Sequence, residues 1–176
     1  MELSQNLQLC QIAVTTCGFT FAIVQLNIEY AWRRKQFAMN VLAEWNSRTG
    51  TYRRGIEETL PGLLDASGQS PERRITRDLA KEIYLSDKAG KYWALRGHIV
   101  ELLNYCEYIV VCYDKHVGDQ DILKNSLFET LKRWYFELSH YMIVATEERK
   151  YNPWEALEVF MKRNFPDIDE GNEQRA

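Results

Sequence analysis

Apolar and polar positions divide the chain at Glu29. From Leu3 to Ile28 no residue carries a charge, with Glu2 ahead of the run and Glu29 behind it. At ~1.5 Å of rise per residue, about 20 helical residues cross a hydrocarbon core ~30 Å thick, so the run predicts a transmembrane helix. A signal peptide opens on a basic segment and closes on small residues. This run opens on an acid and continues into Glu29-Tyr30-Ala31-Trp32-Arg33-Arg34-Lys35. Aromatic residues suit the headgroup zone and basic ones the cytoplasmic side, which predicts one uncleaved span, N-terminus out and C-terminus in.

A second pattern lies inside the first. Ser4, Gln8, Gln11, Thr15, Gly18, Ala22, Gln25 and Glu29 recur at alternating four- and three-residue steps, which keeps them on one helix face. Glutamine amides facing lipid would be unsatisfied, so a polar stripe on a single span predicts that copies assemble. Two assemblies fit the stripe: a tight helix interface of small and polar residues, or a water-lined pore. An ordinary anchor is the plainer alternative. No Gly or Pro falls between Gly18 and Gly50, so the helix is expected to run to about Asn46 and to close at Gly50. The same steps continue through Arg33, Gln36, Asn40, Ala43 and Ser47. Phe37, Ala38, Val41, Leu42 and Trp45 form an apolar face suited to docking the rest of the chain.

Beyond the rod the periodicity stays helical. Thr51–Leu64 reads as a short irregular helix broken at Pro61-Gly62. Ser70-Pro71-Glu72-Arg73 has the form of a helix start, with Ser as N-cap and Pro in the first turn, running to about Ser86. Further helices are expected over Tyr92–Lys115, Asp121–Lys150 behind the cap Asp119, and from Asn152-Pro153 to Asn164. No period-two strand is present. The fold class is therefore all-α: a transmembrane helix (1–31) continuing into a cytosolic helical bundle (32–165), then an acidic tail without fixed structure (166–176).

Charge adds a local bias to this picture. The net charge is −3, which gives no global case for nucleic acid. Residues 32–54 nevertheless hold Arg33, Arg34, Lys35, Arg48, Arg53 and Arg54 against Glu44 alone. Positive-inside topology and attraction to anionic lipid account for that excess, with RNA contact as the alternative. The four cysteines include no C-x-x-C pair and no metal spacing, so reduced thiols, no metal and no cofactor are expected.

Two constellations could carry chemistry. Arg133 and His140 lie two turns apart and share a helix face, the one able to hold a phosphate and the other to move protons near neutral pH. A structural pairing of Arg133 with Glu137 is the alternative. Asn104 and Glu107, at i and i+3 among apolar neighbours, need partners, which Arg96, Arg133 or Arg149 could supply. Together with Arg133 and His140 they read as a buried polar network.

The R-x6-H pair on a helix of an α bundle resembles the signature of HEPN domains, which form metal-independent RNase sites from two copies. A polar residue commonly follows that arginine, whereas Trp134 follows it here, so the pair reads as degenerate and the chain as non-enzymatic. Further marks run along most of the chain: the span entering Arg-Arg-Lys with Glu44-Trp45-Asn46 beyond it, Leu102-Leu103-Asn104-x-x-Glu107, and Arg149-x-x-Asn152-Pro153 before a Trp-containing last helix. With these the chain resembles the membrane accessory proteins encoded beside type VI-B CRISPR effectors, which are RNA-guided nucleases that target RNA. That resemblance implies a HEPN-like domain, an antiphage role coupled to the effector, and a homo-oligomeric pore in the bacterial inner membrane. Gln8, Gln11, Thr15, Gly18, Ala22 and Gln25 would line the channel, with Glu29 and Arg33 at its cytoplasmic mouth. The rivals are a membrane-tethered RNase using Arg133 and His140, and a passive scaffold for a soluble effector.

Overall fold

The computed structural model describes residues 2–64 and 75–166, and within them every element is helical. Helix α1 spans Glu2–Thr59, α2 Arg77–Leu85, α3 Trp93–Asp114, α4 Gln120–Arg149 and α5 Glu155–Asn164. The expected helix start at Ser70–Arg73 and the acidic stretch from Asp167 lie outside the described residues.

Helix α1 is a single rod of 58 residues, roughly 87 Å long at 1.5 Å per residue. It is longer than the sequence pattern suggested, passing through Gly50 and Gly55 without a break. A helical glycine costs only about 1 kcal/mol relative to alanine, and packing against the bundle offsets that. The helix stops at the Pro61-Gly62 turn, where the Glu57 carboxylate accepts the backbone N–H groups of Gly62 (2.5 Å) and Leu64 (2.6 Å).

The rod has two unlike halves. Every residue from Gln11 to Arg33 is exposed, including Phe19, Phe21, Leu26, Ile28 and Trp32. That free length covers about 35 Å, close to the thickness of a bilayer core. It is the one helix among the described residues long and apolar enough to cross a membrane. Burial starts at Arg34, and from there Ala38, Val41, Trp45, Thr49 and Ile56 sink into the bundle, with Phe37 and Leu42 packed at its edge. This is the docking face expected from the spacing. The Trp45 ring stacks on Trp134 of α4 at 5.0 Å and tilts against Tyr105 of α3 at 5.7 Å.

The α3–α4 loop clamps the rod where it enters the bundle. Arg34 donates through Nε and Nη2 to the Gly118 carbonyl at 3.3 and 3.1 Å, and the Asp119 N–H donates to the Arg34 carbonyl at 3.1 Å. Gly118 is needed for this approach, since a Cβ there would sit 2.9 Å from Leu123 Cδ1 and 3.2 Å from Phe37 Cδ1. Arg34, one of the basic triplet, is thus spent inside the protein.

Helix α2 begins later than the Ser-Pro signal predicted. Thr76 is its N-cap, its side chain accepting from the Leu79 N–H, and Ile75 ahead of it is buried outside the helix. Asp119 caps α4 as expected, accepting from Ile122 N–H at 3.2 Å. A continuous core of Leu95, Ile99, Leu102, Leu131, Leu138, Trp154 and Phe160 joins α3, α4 and α5.

Candidate functional site

Ser4 lies outside the residues whose side chains are described; from Gln8 onward the polar stripe is exposed on the free half of the rod. Gln8, Gln11, Thr15, Gly18, Ala22, Gln25, Glu29 and Arg33 are all exposed. Thr15 satisfies its hydroxyl on the Gln11 carbonyl at 2.8 Å, as serines and threonines do within apolar helices. Thr16 and Thr20, off the stripe, do the same to Ile12 and Thr16, so their polarity is absorbed by the backbone. The glutamines have no such local outlet. Glu29 and Arg33 form an i,i+4 ion pair at 2.5 Å at the end of the apolar run. Beyond the neighbouring backbone of the helix itself, nothing lies within 4 Å of where a Gly18 Cβ would be.

The stripe extends along the bundle half. Gln36, Asn40, Ala43 and Ser47 are exposed, while the bundle covers Ala38, Val41 and Trp45. At 100° per residue, the stripe and the docking face lie roughly half a turn apart. The bundle therefore hangs on the side of the rod away from the stripe. Sequence spacing also puts the docking residues on the other face of the rod from the stripe.

Asn104 and Glu107 find their partners on α5. Asn104 Oδ1 accepts the Trp154 indole N–H at 2.9 Å, and Glu107 accepts the backbone N–H groups of Ala156 (3.0 Å) and Leu157 (2.6 Å). Asn152 Oδ1 accepts the Trp154 N–H at 2.9 Å, and its amide donates to Glu158. The Leu103-Asn104-x-x-Glu107 and Asn152-Pro153-Trp154 marks are thus two halves of one joint, in which α3 caps the start of α5. Burial raises the Glu107 carboxyl above its ordinary value, with the two N–H donors opposing the shift.

Arg133 and His140 stand apart from that joint. His140 Nδ1 lies 2.8 Å from the Ile75 carbonyl, which can only accept, so Nδ1 carries a proton and donates it there. The ring pins the segment leading into α2. Arg133 is half-buried with its Nε shielded from solvent, and Trp134 beside it is in the core against Trp45. The four residues read as one network from spacing therefore fall into two separate groups. No cluster of three metal-ligating side chains is present among the described residues. Cys106 and Cys112 are buried free thiols, both pushed up by burial.

A groove that no residue pattern announces lies between α1, α3 and the end of α4. Tyr52, Trp93, Arg96, His98, Glu101 and Arg149 line this space of about 630 Å³. His98, unremarkable in sequence, packs over the backbone of Gly55 and tilts against Tyr52 at 6.4 Å.

These features define an all-helical protein built on one rod, half exposed and apolar, half scaffold. The family described as a domain of unknown function, DUF4760, matches residues 12–163, and the chain belongs to it. Comparison with the curated proteins and with the solved structures finds no match.

Proposed function

We propose that the chain is a single-pass membrane protein whose copies assemble into a ring, with the polar stripe of α1 facing a central lumen. The observation that carries this reading is the opposed placement of stripe and bundle. If Gln8, Gln11, Thr15, Gly18, Ala22 and Gln25 face an axis, every bundle points outward, and bundles do not collide at the centre. A lumen also gives the glutamine amides water, which lipid would deny them. The Glu29–Arg33 pair lies at the cytoplasmic mouth. A water-filled path collapses the membrane potential, worth ~2.3 kcal/mol per charge per 100 mV, so even weak conductance harms the cell. Barrier loss, with no bond made or broken, is thus the proposed activity, and the bacterial inner membrane is its proposed site.

Coupling to a type VI-B RNA-guided effector, and a resulting antiphage role, extends the proposal on the strength of the resemblance at Glu44-Trp45-Asn46, Asn104-x-x-Glu107 and Asn152-Pro153. The test of the lumen is direct. Expressing the chain should depolarise the inner membrane, and Gln11→Leu with Gln25→Leu should suppress this while leaving the amount of membrane-bound protein unchanged. Depolarisation equal to that of the parent chain would remove the stripe from the channel wall.

A further inference from the structure

The groove beside α3 has the composition of an anion site with a stacking wall. Arg96 comes from the first turn of α3 and Arg149 from the last turn of α4, and the fold brings both to the same space. Neither lies within ion-pair distance of a carboxylate among the described residues, unlike Arg33, Arg48, Arg77 and Arg163, which are all paired. Their partners are neutral oxygens at long range. Arg96 Nη1 donates to the Ser86 carbonyl at 3.4 Å, and Arg149 donates to the hydroxyls of Tyr84 at 3.4 Å and Tyr151 at 3.5 Å. Such contacts orient a guanidinium without neutralising it.

The surroundings keep the two charges uncompensated. Tyr141 is buried near both guanidinium groups, and burial pushes its hydroxyl up to about 12, so it stays neutral at physiological pH. Glu101 is the one acid among the described residues that line the groove. Aromatic rings hold the Arg96 head in place, Tyr84 at 5.0 Å and Trp93 at 5.6 Å. Trp93 is 42% exposed and offers ring surface to the groove. A pair of forked donors next to an accessible indole suits a ligand with a phosphate at one end and a flat ring at the other. The volume falls within the ~300–1,000 Å³ usual for small-molecule sites.

We propose that this groove binds a free nucleotide, with Arg96 and Arg149 taking the phosphate and Trp93 stacking the base. Position argues against a lipid phosphate. Tyr52 lies on the rod about 27 Å beyond Arg34, where the bundle first meets α1, so the groove is far from any headgroup layer. The groove's small size and the chain's net negative charge argue against a long RNA strand.

The test is calorimetric titration of the full detergent-solubilised chain with ATP, AMP, inorganic phosphate and a short 5′-phosphorylated single-stranded RNA. It applies whether or not the chain forms a ring, so its failure and the failure of the pore are separately visible. ATP or AMP should bind at least about tenfold more tightly than inorganic phosphate. Arg149→Ala and Arg96→Ala should each weaken nucleotide binding about tenfold or more. Trp93→Ala should weaken the nucleotide but leave phosphate unchanged. Gly55→Ala, whose Cβ would lie 2.2 Å from His98 Cδ2, should weaken binding by pushing that ring towards the groove without altering any charge. A thermal midpoint matching the parent's identifies variants that fold, and Arg149→Ala, at the helix end, suffices if Arg96→Ala does not. No nucleotide binding at millimolar concentration, binding indifferent to Arg149→Ala, or binding of the RNA alone would each overturn the assignment.

Discussion

Glu107 carries an unusual load for one surface-edge carboxylate: it is the cap of a helix to which it does not belong. Glu107→Ala strips the Ala156 and Leu157 N–H groups of their acceptor and should cost about 1–3 kcal/mol in chemical denaturation. Its pH dependence has a definite sign. Burial outweighs the two N–H donors and holds the folded carboxyl above 4.5. The folded chain therefore binds that proton more tightly than the unfolded one, and stability contributed by the protonated form is lost as pH rises from about 4.5 through the raised value. Glu107→Gln should flatten the stability profile over that window; a slope as steep as the parent's would contradict the assignment. At the end of α4, Lys150 sits in the left-handed region at φ 64°. Glycine takes that conformation without strain, so Lys150→Gly should raise stability by about 0.5–1 kcal/mol.

At the scale of elements, the joint between rod and bundle is decisive. Trp45 is 6% exposed and stacked on Trp134, so Trp45→Ala should destabilise the chain by about 3–5 kcal/mol. Thermal unfolding followed by near-ultraviolet circular dichroism would register the loss, and a midpoint unchanged from the parent would place the joint elsewhere. Spacing alone identified this face through Phe37, Ala38, Val41, Leu42 and Trp45, because helical periodicity is a local property. It missed the true end of the rod for the opposite reason: Gly50 looks like a stop until packing of the helix against α3 outweighs its weak helix preference. The α3–α5 joint was half visible. Asn104 and Glu107 announced a need for partners, but backbone N–H groups carry no sequence signature and arginines were the obvious candidates. The groove left no trace in the chain because Tyr52, Arg96 and Arg149 are brought together only by the fold.

The whole molecule is arranged around one geometric relation: a polar stripe on one side of a long helix and a folded bundle on the other. The apolar residues around the stripe, Phe19, Phe21 and Leu26 among them, are left bare by the bundle and suit a bilayer. The stripe suits water, and a ring of copies gives each face the solvent it needs. Substituted cysteines at Gln11 and Gln25, in a chain lacking its native thiols, should react with a membrane-impermeant thiol reagent. Cysteines at Ile23 and Val24, on the opposite face of the helix, should resist it.

Cryo-electron microscopy of the detergent-purified full chain would show how the copies are arranged. A closed ring with a continuous lumen is expected, with Gln11, Gln25 and Glu29 facing the axis and the α3–α5 bundles arrayed outside. A compact dimer, or a ring whose stripes are buried between neighbouring helices with no lumen, would contradict it.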